Sequence, residues 1–180
     1  MKGIIADKEV RVFVEDESRV GLFPTSIRRI TSRGIKPIQQ VQHVFESYYL
    51  YGAVEPLSGQ SFFFELPVFS GDCFEVFLRE FSKHFWDGIN IIILDNAAPH
   101  KAKRIAVPQN VMLLFLPPYS PELNPMERLW EDIKSRVSHF FCTRLEDLKD
   151  AVASILNSYS KSTIASITGY KYLINAINAL

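Results

Sequence analysis

Residues Ile91 to His100 read I-I-I-L-D-N-A-A-P-H. The run Ile89–Leu94 is apolar on both faces, which suits a central parallel strand covered on both sides. Asp95 closes that run. An unpaired buried carboxylate costs several kcal/mol, so packing is a poor reason for an acid at this position. The alternative is a turn or helix cap ahead of Ala97-Ala98-Pro99, where Asp and Asn are common.

Downstream, Val111–Leu116 reads as a further strand, and Pro117-Pro118-Tyr119-Ser120-Pro121 as a rigid, extended linker. Asn124 then caps a helix with Pro125 at its first position, where a missing N–H costs nothing. The buried stripe of that helix is Met126, Leu129, Trp130, Ile133 and Val137, and Glu127 falls at its border with solvent. Upstream, Val10–Val14 alternates as a strand, and V-R-V-F-V-E-D-E-S continues into acids. Alternation puts Asp16 on the side of Val12 and Val14, and Glu15 with Glu17 on the other.

Between these lie a basic loop (Phe23 to Gln39) and two strands, Val44–Val54 and Gln60–Leu66, flanking the turn P-L-S-G. Asp72 and Glu75 have capping-box spacing ahead of a Phe74, Phe77, Leu78, Phe81, Phe85 stripe, predicting a helix from Asp72 to Phe85. A short helix is expected over His100–Ile105. Thr143 and Glu146 repeat the capping box before a longer helix, and the tail from Ser162 should be helical in pieces. A hairpin followed by helix-linked strands predicts an α/β fold, a mixed sheet with helices on its faces. The first strand and Ile89–Leu94 can then lie parallel and adjacent through a right-handed crossover. Ligands in such sheets collect at the carboxyl ends of strands, which makes Asp16 and Asp95 neighbours.

Composition narrows the partners. The 180 residues suit one domain, with no apolar run near the roughly 20 residues of a membrane helix and no signal-peptide pattern. Cys73 and Cys142 fit no zinc or redox spacing and read as reduced thiols of a cytosolic protein. Twenty basic residues balance twenty acidic ones, so contact with nucleic acid should be local rather than global. Three basic patches are available: Arg28, Arg29, Arg33 and Lys36; Lys101, Lys103 and Arg104; Arg128, Lys134 and Arg136.

Asp16, Asp95 and Glu127 are the candidate ligands of a divalent-cation site, for which carboxylates on rigid scaffold ends are suited. Each has a second reading. Glu15-Asp16-Glu17 can be a solvated acidic turn, and Asn124-x-x-Glu127 a capping box. Asn96 suits either a ligand contact or an Asx-turn, and His100 either a phosphate contact or a helix-start surface position.

Taken together, D-E-S (Asp16–Ser18), D-N-A-A-P-H (Asp95–His100) and P-P-Y-S-P-E-L-N-P-M-E-R-L-W (Pro117–Trp130) resemble the DDE transposases of bacterial insertion sequences, in the mariner-like superfamily. The resemblance spans roughly Val10 to Tyr159. It implies a ribonuclease-H-like fold with a five-stranded mixed sheet, one catalytic domain over residues 1–180, and Asp16, Asp95 and Glu127 as the catalytic, metal-binding triad. The implied activity is metal-dependent DNA cutting and joining, with two Mg²⁺ ions, or Mn²⁺ in their place. The alternatives are a nuclease of the same fold without strand transfer and an inactive partner subunit of a split transposase. Double-stranded DNA is the expected partner, at element ends and target, touched by Arg33, Lys36, Asn96, His100, Lys101 and Arg128. About nine residues precede the first strand, so the helix-turn-helix reader is expected on a separate chain or a missing segment. A homodimer, no membrane association and a bacterial cytoplasmic, nucleoid-associated location complete the expectation.

Overall fold

Alternation along one strand sorts the molecule into two cores. In the computed structural model, which describes residues 9–22, 32–34, 46–102, 104–118 and 120–179, β1 runs from Val10 to Gly21. Val12 and Val14 face a core built with Met126, Leu129, Trp130 and Ile133. Phe13 faces the opposite core with Phe74, Phe77, Leu78 and Phe81. Glu15 and Glu17 follow Phe13 by parity, while Asp16 follows the valines.

The sheet holds β1, β2 (Ser47–Val54), β3 (Ser61–Leu66), β4 (Ile89–Leu94) and β5 (Val111–Phe115) in the order β3-β2-β1-β4-β5. β1–β2 and β2–β3 are antiparallel, whereas β1–β4 and β4–β5 are parallel. Helix α1 (Gly71–His84) supplies the Phe-rich core on one face. Helices α2 (Met126–Val137), α3 (Leu145–Ser158), α4 (Lys161–Thr168) and α5 (Lys171–Ile177) contribute Trp130, Val152, Ile164 and Leu173 to the other. This mixed sheet between two helical layers is a ribonuclease-H-like fold. The fully buried rings of Phe77 and Phe81 anchor it, and truncating either to Ala should cost about 3–5 kcal/mol.

Several local expectations change. β1 extends to Gly21 because β2 continues to pair with it after β4 stops: Val14 is aligned with Ile93, and Asp16 through Gly21 lie against Gly52 through Ser47. Asp16 is therefore inside a strand, not beyond its end. Ser70, rather than Asp72, caps α1, its hydroxyl accepting the Cys73 N–H at 3.2 Å. Asp72 instead pairs with Arg104, and Glu75 accepts the Ala106 N–H. The expected helix at His100–Ile105 is a short 3-10 turn, Ala98–Lys101, positioned by Pro99. Arg144, not Thr143, stands before α3, and it pairs with Asp147 in the first turn.

Most of the basic loop, including Arg28, Arg29 and Lys36, lies outside the described residues, as does Lys103. Arg33 sits exposed in a turn completed by Gly34 at φ +90°. Both cysteines are free and half-buried. Among the described residues no helix is long and apolar enough to cross a membrane.

Candidate active site

Three elements bring their acids to the wall of one cavity. Asp16 stands on β1 where pairing to β4 has just ended, and Asp95 is the first residue after β4. Extending the Val14–Ile93 register by two residues sets Asp16 level with Asp95. Glu127 comes from the first turn of α2. All three line a cavity of about 470 Å³, with Asn96, Lys101 and Asn124 in its wall.

The start of α2 is fixed by Asn124 and Pro125. Pro125 already has helical dihedrals, and the buried Asn124 accepts the Met126 N–H at 3.0 Å through Oδ1. Its Nδ2 donates to the Glu15 carbonyl at 3.0 Å. One side chain thus caps the helix that carries Glu127 and ties it to the strand that carries Asp16. The alternative role for Glu127 as half of a capping box is not the one its position in the cavity wall favours.

Asp16 accepts the indole N–H of Trp130 on Oδ2 at 2.9 Å. Burial and the charges of Glu17 and Glu127 push its pKa up to about 7, against the ordinary 3.8. Asp95 is half exposed and accepts twice on Oδ1, from the Ala97 N–H and from the His100 ring, each at 2.8 Å. The turn reading of Asp95 is therefore correct as far as Oδ1 goes, and the other oxygen is free of it.

His100 departs furthest from expectation. Its side chain is 1% exposed, so it is placed to hold protein groups, not to touch DNA or sit on the surface. Nδ1 meets Asp95 and Nε2 meets Glu17, both at 2.8 Å, with the buried Glu15 carboxylate 3.9 Å away. Burial works to lower the His100 pKa, but the bonds and charges of Glu17 and Asp95 outweigh it and raise it. Burial, followed by the charges of Glu17, Asp16 and Asp95, drives the Glu15 pKa well above the usual carboxylate range. Neither Glu15 oxygen has a hydrogen-bond partner among the described residues, so its neutral form is favoured. Ligand atoms of Glu15, Glu17 and His100 lie within 4.8 Å of one another. The 2.8 Å separation of His100 Nε2 and Glu17 is that of an ordinary hydrogen bond.

The other expected DNA contacts divide. Asn96 donates its amide to the Leu116 carbonyl and so ties the ends of β4 and β5 together. Lys101 is exposed, in the cavity wall, with its ammonium 5.6 Å from the Phe115 ring centre. Arg128 is exposed beside Glu127, its guanidinium 4.6 Å from the Tyr170 ring centre. Arg104 and Arg136 are already paired, with Asp72 and Asp132.

The three cavity carboxylates suit a hard divalent cation by ligand type, whereas the ligand atoms that already stand within 4.8 Å of one another are those of Glu15, Glu17 and His100. Among the described residues, none of the three acids is ion-paired to a lysine or arginine, and burial, followed by the charges of Glu17 and Glu127, holds the Asp16 pKa up. Carboxylate oxygens are the ligands Mg²⁺ and Mn²⁺ prefer.

Comparison with known proteins agrees with the fold. The chain is 39% identical over 84 residues to the uncharacterised protein y4pE/y4sA of Sinorhizobium fredii, covering 46% of this chain and 62% of that one. It superposes on Mos1 mariner transposase in a paired-end complex with Mn with a TM-score of 0.73, at 15% identity, over 88% of this chain and 52% of that one. A simian T-cell lymphotropic virus intasome chain superposes with a TM-score of 0.59 at 12% identity, over 86% of this chain and 54% of that one. The chain thus spans about half to three-fifths of the length of these relatives. The sequence model of the DDE superfamily endonucleases matches residues 11–149, which include every side chain named in the cavity wall. On that match the chain belongs to the DDE superfamily endonuclease family.

Proposed function

We propose that this chain is the catalytic domain of a DNA transposase that cuts strands at element ends and joins them to target DNA. Asp16, Asp95 and Glu127 are its metal-binding carboxylates, and Mg²⁺, with Mn²⁺ as substitute, is the cofactor. The observation that carries this reading is the convergence of three acids, from β1, the end of β4 and the start of α2, on one cavity.

Divalent cations bound there would lower the pKa of the attacking hydroxyl and neutralise charge on the phosphate. Trp130 turns Asp16 so that one oxygen is occupied and the other is left for the cavity. The Ala97 N–H and His100 do the same for Asp95. Asn124 sets the register of Glu127 against β1. Lys101 and Arg128 offer exposed cations to the phosphates of a bound duplex.

In the first step water attacks phosphorus, and a 3′-hydroxyl leaves as the P–O3′ bond breaks. In the second, that 3′-hydroxyl attacks a target phosphodiester, and a target 3′-hydroxyl leaves. Protein side chains orient and neutralise in both steps and form no bond to phosphorus. Zero net charge supports delegation of sequence reading to a helix-turn-helix module on another chain or segment.

The test is cleavage and joining of labelled duplexes, with and without Mg²⁺. Cleavage that needs Mg²⁺ and vanishes in Asp95→Asn is expected, together with joined products from 3′-hydroxyl oligonucleotides. Cleavage without joining would reduce the activity to that of a nuclease. Metal-independent activity would remove the reading.

A further inference from the structure

We infer that His100 is the positioning residue for Asp95, and that Glu17 is the anchor that lets it act. The inference rests on the reading of Asp95 as a metal ligand.

Asp95 is the one of the three acids that lies outside a regular strand or helix. It sits past the end of β4, and its side chain is 54% exposed. A carboxylate in that setting turns freely about two bonds, and ordering it when a ligand arrives costs free energy. His100, together with the Ala97 N–H, removes that freedom in advance. Its ring is walled by Phe74, at 4.5 Å between centres, and by Phe69, at 5.7 Å. Pro99 sets the backbone immediately before it. The ring therefore has one orientation, with Nδ1 on Asp95 and Nε2 on Glu17.

Glu17 is 5% exposed and reaches His100 from the far side of the ring. A histidine bonded at both nitrogens cannot flip or rotate without losing both contacts. The resulting row, Glu17–His100–Asp95, runs from inside β1 to the cavity wall. It leaves Oδ2 of Asp95 as the oxygen outside these bonds. An orienting partner behind a metal ligand is typically worth 10- to 100-fold in metal affinity or activity.

Two substitutions separate positioning from packing. Asn at residue 100 places an amide close to Nδ1, keeping a donor for Asp95 and losing Glu17. Gln places its amide close to Nε2, keeping Glu17 and losing Asp95. The first readout is the Mn²⁺ concentration giving half the maximal rise in melting temperature, and the second is the Mn²⁺ dependence of DNA cleavage. His100→Gln should raise the half-saturating Mn²⁺ concentration about tenfold or more, with the KM for DNA unchanged. His100→Asn, which keeps the donor to Asp95 and loses the Glu17 anchor, should raise it too, but by less than His100→Gln does.

Equal effects of the two substitutions on Mn²⁺ would overturn the inference, since a side chain that only fills space does not distinguish the two ends of the ring. If either variant fails to fold, His100→Gly with and without millimolar imidazole replaces it. Imidazole should restore Mn²⁺ affinity, and no restoration overturns the inference. Asp95→Asn is the control on the underlying reading. If Asp95→Asn leaves Mn²⁺ binding intact, that reading falls. If it abolishes binding while the Asn and Gln variants behave alike, only the role of His100 falls.

Discussion

The indole N–H of Trp130 reaches Oδ2 of Asp16 at 2.9 Å, across 114 residues of sequence. The ring that does so is one of the largest fully buried side chains and lies one helical turn after Glu127. Helix α2 thus delivers one acid to the cavity and fixes the orientation of another. Trp130→Phe keeps most of the buried ring and removes the donor. It should cost about 1–3 kcal/mol of stability in urea unfolding. Half-saturation by Mg²⁺ in cleavage assays should shift upward several-fold, since Asp16 loses the bond that favours its charged form. An unchanged Mg²⁺ dependence would show that the indole only packs.

Gly52 makes that contact sterically possible. It lies directly opposite Asp16 on β2, and a Cβ there would stand 2.7 Å from Trp130 and 2.9 Å from both Met126 and Phe63. Gly52→Ala therefore overpacks the seam between sheet and α2, at about 1–3 kcal/mol. Urea unfolding should register this loss, and Mg²⁺-dependent cleavage should fall with it because Trp130 is pushed away from Asp16.

Asn124 joins α2 to β1 through two bonds of one buried amide. Asn124→Ala leaves the Glu15 carbonyl and the Met126 N–H without that partner, at about 1–3 kcal/mol for each buried group left unsatisfied. Asn124→Asp restores the cap but not the donor to Glu15. It should recover part of the stability and little of the activity if the strand tie positions Glu127. Comparing the two variants in thermal melts and cleavage assays checks this.

Asp16 carries a clear pH signature. Its folded pKa of about 7 lies above the ordinary 3.8, so the folded protein holds a proton that the unfolded chain has released. That stabilisation is complete below about pH 4 and is lost as pH rises to about 7. Glu15 and His100, also raised, act in the same direction. The lowered carboxyls Asp87, Asp132 and Asp147 titrate at more acid pH and are charged throughout this range. Metal-free protein should therefore melt at a lower temperature at pH 8 than at pH 5, by roughly 5 °C. Saturating Mg²⁺ should recover more at pH 8, where Asp16 is ionised. Calorimetry in EDTA and in Mg²⁺ at both values measures it.

Much of this arrangement is legible in the sequence. The apolar run Ile89–Leu94, the Phe stripe of α1 and the Met126–Trp130 stripe each carry their period in the sequence, and they lie where that period puts them. Parity along β1 put Asp16 on the side of Val12 and Val14, the side to which Trp130 also belongs. What stayed hidden is what periodicity does not encode. Trp130 looked like core, and its N–H was invisible as a donor. His100 meets Glu17 across 83 residues, and no local pattern announces that pairing. Asn96 and Ser70 were obscured because short polar side chains satisfy whichever backbone group is nearest, and neighbours one or two residues away compete for each cap.

The most direct measurement is anomalous diffraction from crystals soaked in millimolar Mn²⁺. A strong peak within about 2.0–2.3 Å of carboxylate oxygens from Asp16 and from Asp95 or Glu127 is the predicted result. Ordered side chains with no peak among those three acids, or Mn²⁺ bound only elsewhere on the molecule, would contradict the assignment of this cavity as a metal-dependent active site.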